Sequence, residues 1–97
     1  MQNKPPQEVP LRARIDDAVA EGIYVNFGSI AHNRSEFILD LGRIVPGRPE
    51  VKILARLITT PLVAKQLSRA LAQNVEQYEK SYGEIAGSDE GLKRVGF

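Results

Sequence analysis

The clearest periodicity in the sequence is helical and lies between Pro61 and Tyr82. At 100° per residue its apolar side chains fall in an arc of roughly 140°, the width expected of a helix lying on a sheet. These side chains are Val63, Leu67, Ala70, Leu71, Val75, Tyr78 and Tyr82. Thr60 is a typical N-cap, and proline suits the first helical position because its missing N–H costs nothing there. Gly83 is a typical stop, so we expect one long C-terminal helix over residues 61–82.

Strand-like alternation precedes this helix in three segments. The segments are residues 23–30, 37–44 and 51–58. In the first, Ile30 falls out of phase, which predicts a bulge at Gly28 or Ser29. A hairpin loop at 31–35 and a strong turn signal at 46–49 separate the segments. Because loops this short cannot hold a crossover, the three strands are predicted to form an antiparallel meander.

The segment before the meander permits two interpretations. Residues 11–15 alternate apolar side chains with Arg12 and Arg14, which suits a short edge strand guarded by charge, although the apolar spacing also fits a helical stripe. Asp16 is placed to cap one helical turn that ends at Gly22. The predicted fold class is therefore α+β, with three to four antiparallel strands followed by one long C-terminal helix packed on the sheet.

The chain length of 97 residues accommodates one small domain. We expect a flexible N-terminal arm at 1–9, a single α+β domain at 10–85 and a flexible C-terminal tail at 86–97, whose apolar residues alternatively form a docking peptide. A domain this short buries a small fraction of its surface, so self-association is expected.

Composition narrows the function classes. Thirteen Lys and Arg against twelve Asp and Glu give a net charge of +1, which provides no strong steering towards nucleic acid or membranes. The absence of cysteine excludes disulfides, thiol nucleophiles and thiolate metal sites, and suits a cytoplasmic location. No membrane-spanning run or signal-peptide pattern is present. Since His32 is the single imidazole, we predict no catalytic residue, metal or cofactor.

A second face of the predicted sheet carries apolar side chains that one helix cannot cover. The candidate interface, with one residue from the helix flank, is Tyr24, Ile38, Ile44, Leu54, Ile58 and Asn74. We expect a second copy to cover it, because two-fold dimers are the commonest soluble oligomers; an unknown protein partner is the alternative. Asn26, Asp40 and Arg56 are predicted to form a structural polar cluster on this face, the alternative being an ordinary exposed ion pair.

Three polar residues of the helix invite further hypotheses. Lys65 and Arg69 are cations four residues apart near the helix start, where the macrodipole disfavours them, so they are candidates to contact a phosphate or a partner carboxylate. Two solvated side chains are the alternative. Asn74 lies inside the apolar arc, where it would either specify helix pairing or bond a backbone carbonyl at the sheet edge.

An ordered set of short motifs carries a family resemblance. The motifs are Glu21-Gly22-Ile23-Tyr24-Val25-Asn26-Phe27, Ser35-Glu36-Phe37-Ile38-Leu39-Asp40-Leu41, Arg56-Leu57-Ile58-Thr59-Thr60-Pro61 and Tyr78-Glu79-Lys80. Over about residues 11–85 the chain resembles a small bacterial family, domain-of-unknown-function family 3467. Asp40-Leu41 departs from the family's usual Asp-Phe but keeps the polar position. The resemblance implies a compact α+β domain, extended around residues 11–16, and no established activity, substrate or cofactor.

These observations favour a non-enzymatic interaction module that works as a homodimer. The alternative is a nucleic-acid-binding protein that contacts phosphates through Arg12, Arg14, Lys65 and Arg69, although the near-zero net charge argues against it. An enzyme is the third hypothesis, because one histidine and no cysteine leave few groups for acid–base chemistry.

Overall fold

The computed structural model describes residues 9–87. Its elements in chain order are α1 (Asp17–Ala20), β1 (Phe27–His32), β2 (Phe37–Ile44), β3 (Val51–Thr59) and α2 (Pro61–Tyr82). The strands form one antiparallel sheet in the order β1-β2-β3. The predicted α+β class, a meander followed by a C-terminal helix, is confirmed. Neither described helix has the length and apolar character needed to cross a bilayer.

Helix α2 begins and ends where the sequence signals place it. The Thr60 hydroxyl oxygen accepts a hydrogen bond from the Val63 N–H at 3.2 Å, and Pro61 occupies the first position. At the other end Gly83 has φ +96°, and its N–H donates to the Glu79 carbonyl at 2.9 Å. Both ends are therefore determined by local chemistry.

The helical turn α1 forms as predicted, but without the predicted side-chain cap. The Asp16 carbonyl accepts the N–H groups of Val19 and Ala20 at 3.0 and 2.9 Å, while its carboxylate accepts a bond from Arg14 at 3.1 Å. Residues 9–16 belong to no helix or strand. The described residues thus contain three strands, within the predicted three to four, and the possible fourth strand at residues 11–15 is not formed. Arg14 pairs with Asp16 and guards no sheet edge.

Strand β1 starts at Phe27, later than the alternation predicts. The side chain of Asn26 accepts a hydrogen bond from the Ile44 N–H at 2.7 Å and donates to the Ile44 carbonyl at 3.2 Å. The amide therefore occupies the backbone groups of β2 that an earlier residue of β1 would use. Regular pairing ends there, and residues 23–26 lie outside the sheet.

Two tight turns connect the strands. The predicted loop at 31–35 is shorter than expected, because β1 continues through His32 and the Asn33 side-chain oxygen accepts the N–H groups of Ser35 and Glu36 at 2.8 and 3.0 Å. In the second turn the Arg48 N–H donates to the Val45 carbonyl at 3.1 Å. The intervening Pro-Gly, with φ +82° at the glycine, gives a type II turn.

The bulge predicted at Gly28 or Ser29 lies instead in β3. Strand β1 pairs with β2 without interruption, whereas Leu54 is skipped in the pairing of β3 with β2. One extra residue reverses the alternation beyond it. As a result Ile53 shares a face with Arg56, although the uninterrupted pattern places them on opposite faces.

The register defines two sheet faces, because directly paired residues of an antiparallel sheet lie on the same side. The helix-side face lies towards α2 and carries Ile30, Phe37, Leu39, Leu41 and Leu57. The far face carries Phe27, Ile38, Ile44, Ile53 and Ile58, with Asp40 and Arg56 among them. Both faces are predominantly apolar.

Helix α2 stands off from the sheet instead of packing closely on it. Among the described residues only Gly28 and Gly42 are buried, and none of the hydrophobic side chains in this part of the chain is buried. The predicted close packing of the helix on its own sheet is therefore absent from this chain.

We predict that Gly42→Ala is strongly destabilising. A Cβ at this position would overlap the Lys52 carbonyl oxygen and lie 3.2 Å from the Ile53 Cα, beside the bulge. Backbone atoms cannot rotate away, so we expect a loss of about 2 kcal/mol or more in the free energy of unfolding, measured by urea denaturation at one protein concentration.

Gly22→Ala is the matched control for this substitution. Gly22 has φ +79° but open space around a Cβ, so only the cost of the left-handed conformation, about 1 kcal/mol, is expected. Equal losses in the two variants would contradict the proposed role of the close approach at Gly42.

Candidate interaction surface

An apolar groove of about 630 Å³ separates the first half of α2 from the helix-side face. The sheet contributes Ile30, Phe37 and Leu39, and the helix contributes Ala64, Leu67 and Leu71. Lys65 and Ser68 add polar groups to the helix wall. The groove is large enough for several apolar side chains and is open to solvent.

The apolar stripe of α2 is exposed along its whole length. Leu71 is 66% exposed and Tyr82 is 78% exposed, so the predicted stripe forms but nothing in the described chain covers it. Towards the helix end Val75 and Tyr78 border a second, shallower concavity with Ile85. The stripe therefore continues beyond the groove.

Residues after the helix are held against its last turns. Beyond Gly83, the Glu79 carboxylate accepts a hydrogen bond from the Ile85 N–H at 2.8 Å. The rings of Tyr78 and Tyr82 lie 5.1 Å apart. The end of α2 thus presents an ordered aromatic surface.

The structure divides the interface that the sequence predicts on the second sheet face. Ile38, Ile44 and Ile58 share the far face, and Ile58 is 60% exposed. Leu54 sits in the bulge. Tyr24 precedes β1, and its ring centre lies 5.7 Å from the guanidinium carbon of Arg43.

Two of the three residues of the predicted polar cluster come together. Asp40 and Arg56 pair directly across β2 and β3, and the guanidinium donates to both carboxylate oxygens, from Nε at 2.7 Å and from Nη2 at 2.9 Å. Asn26 is not part of this contact, because it bonds the backbone of Ile44. The partner of Asp40 in β1 is Ser29.

The ion pair perturbs both groups in the direction that holds them charged. The hydrogen bond from Arg56 lowers the pKa of Asp40 below its ordinary value, against partial burial that acts to raise it, and the guanidinium charge adds to the lowering. The same hydrogen bond and carboxylate charge raise the pKa of Arg56. This bidentate contact suits cross-strand stabilisation more than proton transfer.

The polar residues of α2 have no partner in the sheet. Neither Lys65 nor Arg69 forms an ion pair within residues 9–87, where the ion pairs are Arg14–Asp16, Asp40–Arg56 and Glu76–Lys80. The side chain of Asn74 donates to the Ala70 carbonyl of its own helix at 2.9 Å, so it does not reach the sheet edge. The predicted role of Asn74 in helix pairing stays a prediction.

His32 is a strand residue rather than a loop residue. Its ring stacks on Phe37, its cross-strand partner, with centres 5.2 Å apart. Within residues 9–87 no three His, Asp or Glu side chains come close enough to hold a metal ion. The predicted arm at 1–9 and tail at 86–97 lie almost wholly outside the described residues.

The groove and the bulge are the two functional features that sequence reasoning missed. Alternation on both faces of the strands signals that both must be covered, but nothing in the pattern indicates that α2 stands off from its own sheet. The surface left open therefore includes the helix-side face as well as the predicted second face.

Comparison with known proteins assigns a family without an activity. A family model described as "Protein of unknown function (DUF3467)" matches residues 1–87. No curated protein and no solved structure matches the chain.

We predict that Asp40→Asn flattens the acid limb of the stability profile. Because pairing lowers the pKa of Asp40 in the folded state, its stabilising contribution is present above about pH 4, where an unpaired aspartate titrates, and is lost as the pH falls through the lower folded value. Unfolding midpoints between pH 7 and pH 3 should therefore fall more for the wild-type protein than for Asp40→Asn.

Glu76→Gln is the control for this measurement. Glu76 and Lys80 form an exposed pair at 3.3 Å, and such pairs contribute little. A variant profile for Asp40→Asn that parallels the wild-type profile throughout the acid range would show that the pair is unimportant for folding.

Proposed function

This chain belongs to the family DUF3467, and from its uncovered apolar surface we propose that it is a non-enzymatic interaction module that works as a homodimer. The observation that carries the proposal is that no hydrophobic side chain is buried in residues 9–87. Folding orders the backbone at a cost of about 1–2 kcal/mol per residue, which burial of apolar surface normally offsets. Since residues 9–87 have no core of their own, a second molecule that covers their apolar surface would supply this burial.

A second copy is the partner that the surface favours. The groove and the exposed stripe of α2 lie on the same chain. In two copies related by a two-fold axis, the stripe of each copy can therefore fill the groove of the other. The far face, where Ile38 and Ile58 surround the Asp40–Arg56 pair, offers further apolar surface for assembly. An unidentified protein partner is the competing occupant.

The chemistry of the described residues supports an interaction role. The Asp40 carboxylate, whose pKa is lowered, accepts a hydrogen bond from the Arg56 guanidinium on each of its two oxygens. This arrangement is typical of structural pairs. We propose that the module needs no cofactor or metal and acts in the cytoplasm, in keeping with a chain that contains no cysteine. Nucleic-acid binding through Arg12, Arg14, Lys65 and Arg69 is the alternative hypothesis, and a low-salt shift assay tests it.

We predict that Leu71→Asp abolishes assembly. Leu71 lies at the groove and is 66% exposed in the single chain, so a carboxylate there is tolerated by a monomer but not by a desolvated interface. The wild-type protein should have a molar mass of twice 10.7 kDa by light scattering at micromolar concentration, and an unfolding midpoint that rises with protein concentration.

Gln73→Asp is the matched control, since it introduces the same charge on the polar side of α2 and should keep the wild-type mass. A wild-type protein that is monomeric at micromolar concentration, with an unfolding midpoint independent of concentration, would overturn the proposal.

A further inference from the structure

Five of the apolar positions of α2 are spaced symmetrically about Leu71. The five residues are spaced three, four, four and three positions apart along the helix; they are Ala64, Leu67, Leu71, Val75 and Tyr78. All five lie on one side of the helix at 100° per residue. An antiparallel copy of α2, rotated about an axis beside Leu71, presents the same spacing to the first.

We propose that α2 pairs antiparallel with α2 of a second copy about a two-fold axis beside Leu71, so that the second half of each helix occupies the groove of the other chain. The inference rests on the homodimer proposed above and specifies how it is built. Leu67 then faces Val75 of the second copy, and Ala64 faces Tyr78.

The groove of one copy and the exposed second half of α2 of the other copy are complementary apolar surfaces. Ala64, Leu67 and Leu71 line the groove, so its helix wall is the first half of α2. Val75 and Tyr78 lie outside the groove of their own chain and are 36% and 50% exposed. An antiparallel pairing places these exposed side chains between the first half of α2 and the sheet of the other copy. There they would contact Ile30, Phe37 and Leu39, which line the groove.

The charges of α2 favour the antiparallel direction. Its first turn holds no acid, and the first half carries Lys65 and Arg69. The second half carries Glu76, Glu79 and Lys80, so two acids against one base leave it with a net negative charge. Antiparallel pairing brings each basic half beside an acidic half, while parallel pairing opposes Lys65 to its own copy. Antiparallel alignment also brings helix dipoles of opposite direction together.

The same axis accounts for the polar residue inside the stripe. Asn74 lies three residues after Leu71, and Ser68, a polar residue of the groove wall, lies three residues before it. The pairing therefore places Asn74 opposite Ser68 of the second copy. The two-fold axis makes two such polar pairs, one on each side of Leu71, and polar pairs within an apolar seam select a single register.

Because the chain contains no cysteine, single substitutions test this geometry directly. The variants are Leu67→Cys, Leu71→Cys and Val75→Cys, with Gln73→Cys as the control on the polar side of the helix. Each variant is made in the full chain and checked for dimer mass by light scattering. Each is then incubated with oxidised glutathione, which is reduced to two thiols for every disulfide that forms, first by itself and then in pairwise mixtures. Helices in contact bring facing Cα atoms within the reach of a disulfide.

Leu71→Cys should form a homodisulfide on its own. Leu67→Cys and Val75→Cys should each form little homodisulfide alone. When the two variants are mixed, they should form a heterodisulfide. We expect the favoured products to exceed the Gln73→Cys background by at least about tenfold, because facing thiols in the dimer have effective concentrations near millimolar, whereas the Gln73→Cys thiols lie away from the helix contact and meet only between separate dimers at micromolar concentration. Ala64→Cys mixed with Tyr78→Cys is the second pair if a first variant loses its fold.

Other outcomes would overturn the pairing and separate it from the proposed function. Efficient homodisulfides of Leu67→Cys and of Val75→Cys would establish parallel helices. A dimer by mass that forms no disulfide above the control at any of these positions would place the dimer contact on another surface, such as the far face. Both results leave the homodimer standing, whereas a wild-type monomer would remove it and the pairing together.

Discussion

The constraint on which the rest of the structure depends is that residues 9–87 bury no hydrophobic side chain among themselves. Only Thr60 lies between the end of β3 and the start of α2, and the helix stands off from the sheet behind it. A helix of 22 residues spans about 33 Å, longer than the strands it would cover. The groove and the exposed second half of α2 are two consequences of this arrangement.

Local polar contacts link the strands of the sheet, and no hydrophobic side chain of residues 9–87 is buried beside them. The bidentate Asp40–Arg56 pair joins β2 to β3, and Asn26 closes the end of β1 through two bonds to the backbone of Ile44. Gly42 permits the close approach of β3 at the bulge. These contacts lie across the observed strand register, and that register decides which apolar side chains face the groove.

Much of the fold was predictable because its signals are local. Thr60, Pro61 and Gly83 define α2 through backbone chemistry within one turn, and alternation identifies β2 and the pairing of Asp40 with Arg56. The late start of β1, directly after Asn26, and the bulge at Leu54 were not predictable, because each depends on bonds to a neighbouring strand that periodicity does not record.

The sequence by itself determined the elements, their order and the excess of apolar surface, since propensity, capping and alternation act over a few residues. It also placed the basic and acidic halves of α2. Only the tertiary structure decided that the helix leaves its own sheet uncovered and that Val75 and Tyr78 lie beyond the groove. Those facts depend on the angle at which the chain leaves β3, which is a property of three-dimensional packing and not of any local pattern.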